Sequence, residues 1–227
     1  MILAIVPARI GSKGIKEKNI RIVAGKPLVL WTLDAVRSSK LVDEIILSSD
    51  DERILGQAKA TVLMHKRSYE NSSDTASLES VIDEVLATDN WYDKVEAILL
   101  LQPTSPIRTG AQIDAAIAQL RQDGADTLLS AVRTHSFIWR KGDFLDEPLY
   151  CPSYDYDQRP RRQDLEPSWE ENGSIYMMTM EHWQRTHCRL GGKISLFEMP
   201  EESKYQIDGE LDLHVVEKIM ERQLVSV

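Results

Sequence analysis

Short runs that are apolar on both faces alternate with amphipathic stretches through the first 133 residues, and this alternation restricts the fold more than any other feature. Ile2–Pro7 and Val95–Leu101 read as strands covered on both sides, with Val95–Leu101 near the centre of a parallel sheet. Strands are also expected at Glu44–Leu47, Ala60–Met64 and Thr127–Val132. The spacing predicts helices over Pro27–Ser38, Ile54–Lys59, Thr75–Leu86 and Ala111–Leu120, the first opening on a proline that a first helical turn tolerates. Strand–helix–strand units of this kind specify an α/β fold with a mostly parallel sheet and helices on both faces. Later strands are expected at Gly173–Met178 and Ile194–Met199, with a closing helix over Leu211–Arg222.

After Arg133 the pattern stops. His135–Pro167 is rich in Trp, Tyr, Pro, Asp and Arg and has little periodicity. Its aromatics (Phe137, Trp139, Phe144, Tyr150, Tyr154, Tyr156) favour an ordered arm inserted at about residues 135–170 of a single domain spanning 1–227. The chain carries 27 Lys plus Arg against 36 Asp plus Glu, a net charge of −9, which argues against nucleic acid as a partner. Two distant cysteines, Cys151 and Cys188, exclude a disulfide scaffold and a CxxC zinc site. No stretch approaches the ~20 apolar residues of a membrane span, and the N-terminus reads as a strand, not a signal peptide. A cytoplasmic protein without a membrane partner is expected.

Against that acidic background, the loop after the first strand is a local concentration of positive charge. It holds Arg9, Lys13, Lys16, Lys18 and Arg21, with Gly11, Gly14 and Asn19. Open α/β sheets bind ligands at the C-terminal ends of their strands, and backbone N–H groups with Arg or Lys neutralise phosphate oxygens, so a polyphosphate site is the better reading. The loop is neither GxxxxGK[ST] nor GxGxxG. In the segment Arg67…Ser72-Ser73-Asp74-Thr75-Ala76-Ser77, spacing alone favours a helix N-cap at Ser73 or Asp74. Asp50-Asp51-Glu52 also reads as capping. Gln102-Pro103-Thr104-Ser105-Pro106 ends the strongest strand and can face a ligand or simply turn. Arg159, Arg161 and Arg162 can clamp an acidic group or form a solvated charge run. Gln206-Ile207-Asp208-Gly209-Glu210 fits helix capping or Mg²⁺, which takes one or two carboxylates plus substrate phosphates.

Taken together, PARIGSKGIKEKNIRIVAGKPL, SDTAS, LLLQPTSPIR, RPRRQDLEPSWEENGSIYM and QIDGELDL resemble the acylneuraminate cytidylyltransferases, in that family's order and over nearly the whole chain. The resemblance implies a Rossmann-like nucleotidyltransferase fold with a dimerisation extension. It implies CTP and an acidic nine-carbon sugar as substrates, Mg²⁺ as cofactor, and a homodimer whose extension reaches the partner's site. It further implies that Arg9, Lys13 and Lys18 act on the CTP phosphates, and that Asn19, Arg67 and Ala76 contact the nucleotide. Gln102 and Tyr176 would hold the sugar acid. Arg161 and Arg162 would supply the catalytic or substrate-binding arginine, and Asp208 would bind the metal.

Three positions depart from the family pattern. Gln206 stands where an aspartate is usual, Leu78 where a serine is frequent, and Glu170 where some members carry a basic residue. The implied activity is CMP transfer from CTP to N-acetylneuraminic acid or a related nonulosonic acid, releasing pyrophosphate. Legionaminic or pseudaminic acid is the alternative sugar. A nucleotide-sugar-dependent glycosyltransferase using Asp50-Asp51, or a non-catalytic CTP-binding protein, ranks below both.

Overall fold

The structure is a computed structural model and describes residues 1–11, 14–59, 61–141 and 149–225. Lys13, Ala60 and Phe144, singled out above, lie outside the described residues.

The alternating pattern becomes a seven-stranded sheet in the order β5-β4-β1-β6-β8-β7-β9. Its strands are β1 (Ile2–Pro7), β4 (Glu44–Ser49), β5 (Leu63–Lys66), β6 (Ala97–Leu100), β7 (Thr127–Thr134), β8 (Ser168–Thr179) and β9 (Ile194–Met199). A two-stranded hairpin, β2 (Ile22–Val23) with β3 (Lys26–Pro27), lies apart from it. The expected central strand, β6, is the fourth of the seven and has four fully enclosed positions. β1 pairs in parallel with β4 and β6, setting Ile5 opposite both Ile46 and Leu100.

Successive side chains of a strand point to opposite faces, and β1 shows the consequence directly. Ile2, Ala4 and Val6 join one core with Val29, Leu33 and Val36 of α1 (Leu28–Arg37) and Ile113 and Ile117 of α4 (Gly110–Asp123). Leu3 and Ile5 join another with Ile82, Val85 and Leu86 of α3 (Leu78–Ala87) and Trp183 of α5 (Met180–Thr186). Each such fully buried aliphatic side chain contributes about 1.5–3 kcal/mol by leaving water. α4 opens on a reciprocal cap between Thr109 and Gln112 and ends at Gly124, whose φ of 52° is one that glycine adopts without strain.

Two expectations are corrected. The short helix α2 is Glu52–Leu55, one turn earlier than expected, because the Asp51 carboxylate accepts from the Arg53 amide and starts it. The third strand pairs along Leu63–Lys66, not from residue 60, in register with β4. The sheet is mostly parallel, as expected, with β8 running antiparallel to both β6 and β7. β8 also begins five residues before the apolar signal at Gly173. Its first part, from Ser168 to Glu171, pairs with β7 alone, and Trp169, Glu170 and Glu171 are exposed. α5 and the hairpin are too short for periodicity to register.

The closing helix α6 (Glu210–Val225) packs Leu213, Val216 and Met220 on Ile15, Val23 and Leu28. This third core ties the C-terminal helix to the basic loop. Gly14 marks the contact, since a side chain there would collide with the Asp208 carbonyl.

Candidate active site

The C-terminal ends of β1, β4, β5 and β6 meet on one edge of the sheet and surround a cavity of about 290 Å³. It is lined from three directions. The loop after β1 supplies Arg9, Lys18 and Asn19; the segment after β5 supplies Arg67, Asn71, Ser73 and Ala76; the turn after β6 supplies Gln102 and Thr104. Leu78 and Val81, from the start of α3, give it an apolar side. Six of the expected site residues (Arg9, Lys18, Asn19, Arg67, Ala76 and Gln102) therefore converge from far-separated parts of the chain.

Each polar wall is braced. Arg9 Nη1 donates to Asp74 Oδ1 at 2.6 Å and to the Ser73 carbonyl at 3.2 Å, joining the first loop to the segment before α3. Asn19 Nδ2 donates to the Arg9 carbonyl at 2.7 Å, and Asp50 Oδ1 accepts from the Ile10 amide at 2.8 Å. Lys18 is buried and donates to the Ile207 carbonyl at 2.7 Å and to Asp208 Oδ1 at 3.2 Å. Arg67 is 7% exposed. Its Nε donates to Ser48 Oγ at 2.9 Å and its Nη2 to the Ser48 carbonyl at 3.1 Å. Burial pulls its pKa down to about 10, which still leaves it cationic at neutral pH. Asn19 Oδ1 is buried with no partner among the described residues.

The expected cap at Ser73 or Asp74 is corrected here. α3 starts at Leu78, and Ser77 caps it by accepting from the Ser80 amide at 3.0 Å. Ser73 and Asp74 lie before that first turn, and Asp74 instead takes Arg9. Asp51 does cap α2, as expected.

Asp208 adjoins the cavity through Lys18, and its carboxylate is 75% exposed. The Gln206 side chain turns the other way, toward Gly173, where a Cβ would come within 2.7 Å of Gln206 Oε1. Gly173 has φ +63°, so the strand bend and the close approach both require glycine. No cluster of three or more His, Cys, Asp or Glu able to hold a metal occurs among the described residues. One free-facing carboxylate beside a cationic cavity fits an ion that takes its other ligands from substrate phosphates and water, not a closed protein cage.

Arg161, Arg162 and Tyr176 are not brought to this cavity. Arg161 is on the arm, with Nε on Asp164 Oδ2 at 2.6 Å. Arg162 lines a second cavity of about 670 Å³ with Arg133, His135, Glu170, Glu198 and Lys204. Tyr176 is in the β6–β8 core, 6% exposed, and its hydroxyl donates to Glu171 Oε2 at 2.8 Å. Burial, reinforced by Glu171, raises the Tyr176 pKa. The arm holds itself together by edge contacts between Phe137 and Tyr154, with ring centroids 4.9 Å apart, and by Arg159 over the Phe137 ring at 4.3 Å. Ile138, Trp139, Tyr150 and Tyr156 remain exposed on it.

Sequence reasoning passed over Ser48, Asn71 and Arg108. Ser48 is the last but one residue of β4, paired with Pro7 of β1, so the strand-end rule applied to Ser48-Ser49 could have found it. Arg108 is fully enclosed, donating to the Ser174 and Gln102 carbonyls and to Thr32 Oγ1, and it fixes the turn that carries Gln102. Nothing in the PTSPIR string separates it from a surface arginine.

The whole chain superimposes on CMP:2-keto-3-deoxy-manno-octonic acid synthetase complexed with CTP, with a TM-score of 0.70, 16% identity and 98% and 99% of the two chains covered. It likewise matches 4-diphosphocytidyl-2C-methyl-D-erythritol synthase from Anaerococcus prevotii, with a TM-score of 0.67, 17% identity and coverage of 97% and 96%. At such identities the likeness shows a shared nucleotidyltransferase-like fold. Among curated proteins, the chain is 36% identical to N-acylneuraminate cytidylyltransferase B of Danio rerio over 95% of its own length and 50% of that protein's. It is 29% identical to N-acylneuraminate cytidylyltransferase of Streptococcus agalactiae serotype V over 94% and 52% of the two chains. The chain thus spans about half the length of the curated relatives it matches. Residues 3–142, which carry β1 to β7 and every wall of the cavity, match the cytidylyltransferase family profile, and the chain belongs to that family.

Proposed function

We propose that this chain transfers CMP from CTP to the anomeric hydroxyl of a nonulosonic acid, N-acetylneuraminic acid first among them, and releases pyrophosphate. The observation that carries the reading is the convergence of Arg9, Lys18 and Arg67 on one cavity at the strand ends, in a chain of net charge −9. The names of the curated relatives support the acid sugar.

In the proposed reaction the sugar hydroxyl attacks the α-phosphorus in line and pyrophosphate leaves. The protein's task is positioning and stabilisation of phosphoryl charge. Arg9 and Lys18, with Lys13 from the same loop, would neutralise the phosphates. Asn19 and the backbone at Ala76, both on the cavity wall, would contact the nucleotide. Leu78 places an apolar surface where a serine is frequent. Mg²⁺ held at Asp208 would supply further positive charge to the phosphates. Gln102 would orient the sugar acid.

Arg161, Arg162 and Tyr176 stand away from the cavity within one chain. The reading therefore includes a homodimer of cytoplasmic chains, in which the arm at about 135–170, exposing Trp139, Tyr150 and Tyr156, carries its arginines to the partner's cavity. No helix of the described residues is long and apolar enough to cross a membrane. The test is a panel of CTP with N-acetylneuraminic, legionaminic, pseudaminic and octulosonic acids, scored for CMP-sugar by mass spectrometry. CMP–N-acetylneuraminate with equimolar pyrophosphate is expected. No CMP-sugar from any acid would overturn the reading.

A further inference from the structure

Behind the cavity wall runs a buried polar chain. Arg67 Nε donates to Ser48 Oγ at 2.9 Å, and Ser48 Oγ lies 3.0 Å from His65 Nδ1. His65 Nε2 faces Glu84 Oε1 at 3.9 Å. Glu84 accepts from the Ser68 amide at 2.6 Å and from Asn71 Nδ2 at 2.5 Å. Arg67 and Asn71, the two ends, both line the cavity. Ser48 and His65 are cross-strand partners of β4 and β5, 0% and 8% exposed.

The donor inventory decides where the protons sit. A guanidinium only donates, so Ser48 Oγ accepts from Arg67. The hydroxyl keeps one proton of its own, and giving it to its other partner, His65 Nδ1, uses that proton and leaves Nδ1 an unprotonated acceptor. In this arrangement His65 is neutral, with its remaining proton on Nε2 toward Glu84. We infer that His65 is a positioning residue that, through Ser48, aims Arg67 into the nucleotide cavity, and that protonating it weakens nucleotide binding.

Protonation would place a hydrogen on Nδ1, remove the acceptor of the Ser48 proton, and set a second cation beside Arg67. The charged groups facing this assembly are Glu84 from α3, which favours the protonated ring, and Arg67 itself, which opposes it. Lys66 and Asp89 line the shallow cavity on the ring's outer side, while Asp50 and Arg9 act on Arg67. Burial dominates and lowers the His65 pKa, in keeping with the neutral form.

The inference rests on the proposed reading that Arg67 contacts the nucleotide. It is tested by CTP titration calorimetry at pH 7.5 and 5.5 on the wild type, His65→Asn and His65→Phe, with melting curves alongside. Asparagine can keep an acceptor near the Nδ1 position; phenylalanine cannot. At pH 7.5, His65→Phe should bind CTP about fivefold to tenfold more weakly, the worth of one mispositioned charged hydrogen bond, while His65→Asn stays near wild type. CTP takes up protons of its own, so the ratio of wild-type to His65→Asn affinity is the readout; it should fall between pH 7.5 and 5.5. Unchanged CTP affinity in a folded His65→Phe, or a ratio that does not move with pH, would overturn the positioning role. Absence of CTP binding by the wild type would instead remove the functional reading on which the role depends.

Discussion

The cavity and the arm both carry arginines, and they treat them in opposite ways. Arg67 is enclosed and held by two bonds to Ser48, and Arg9 is fixed between two segments by Asp74 and the Ser73 carbonyl. Arg161 sits on the surface, paired with a carboxylate three residues away, in a stretch whose described residues form no regular strand or α-helix. Groups of the first kind are preorganised by the sheet and can stabilise developing charge without reorganising. Groups of the second kind wait for something outside the chain to position them. The difference teaches that the sheet alone builds the cationic cavity, whereas under the proposed reading the arm's arginines act only once a partner chain is present.

The variant that should strain this contrast most is Arg9→Ala. Arg9 is surface-accessible, so the fold should survive with a small change in Tm, while pyrophosphate release should fall by about 10²–10³-fold, the usual effect of removing one preorganised donor. Wild-type turnover in this variant would detach the cavity from the chemistry. Next comes Arg162→Ala, which should lose turnover while CTP affinity holds. If the arm crosses to a partner, mixing inactive Arg9→Ala and Arg162→Ala chains should restore activity, since one site of the mixed dimer is intact. Failure to complement would mean that both arginines of a site come from one chain.

A stability measurement sharpens the comparison further. Arg108→Met strands the Ser174 and Gln102 carbonyls and Thr32, and urea unfolding should show a loss of about 3 kcal/mol. Arg161→Met, its counterpart on the arm, should change stability by less than about 0.5 kcal/mol. The smallest effect is a pH dependence. His65 has a lowered folded pKa, so the unfolded chain binds more protons below the ordinary histidine value. Its contribution to stability is complete above about pH 6.5 and is lost as pH falls toward the folded value. His65→Asn should flatten the stability profile in that window, and an unchanged slope would mean that His65 does not titrate there.

The same contrast explains what could be read in advance. β1 and β6 were legible because a strand buried on both faces must be a continuous apolar run. The basic loop was legible because glycines and cations after such a strand have few other uses. The cap at Ser77 was not legible, since Ser73, Asp74 and Ser77 are chemically equivalent caps and only the packing of Leu78, Val81 and Ile82 chooses between them. The reversal of β8 was hidden because its first residues face solvent and show no alternation. The relay from Arg67 to His65 depends on a cross-strand register between β4 and β5, which no local spacing encodes. Tyr176 was assigned by resemblance alone and Arg162 from a charge run that also reads as solvated surface, and in a single chain neither meets the cavity.

The central claim is that Arg9, Lys18 and Arg67 form a cationic cavity for the phosphates of a cytidine nucleotide. Calorimetric titration of the wild-type protein with CTP, CMP and cytidine tests it most directly. CTP should bind far more tightly than CMP, cytidine should bind least, and the margin should shrink with added salt. Equal affinity for all three, or no heat with CTP, would contradict it.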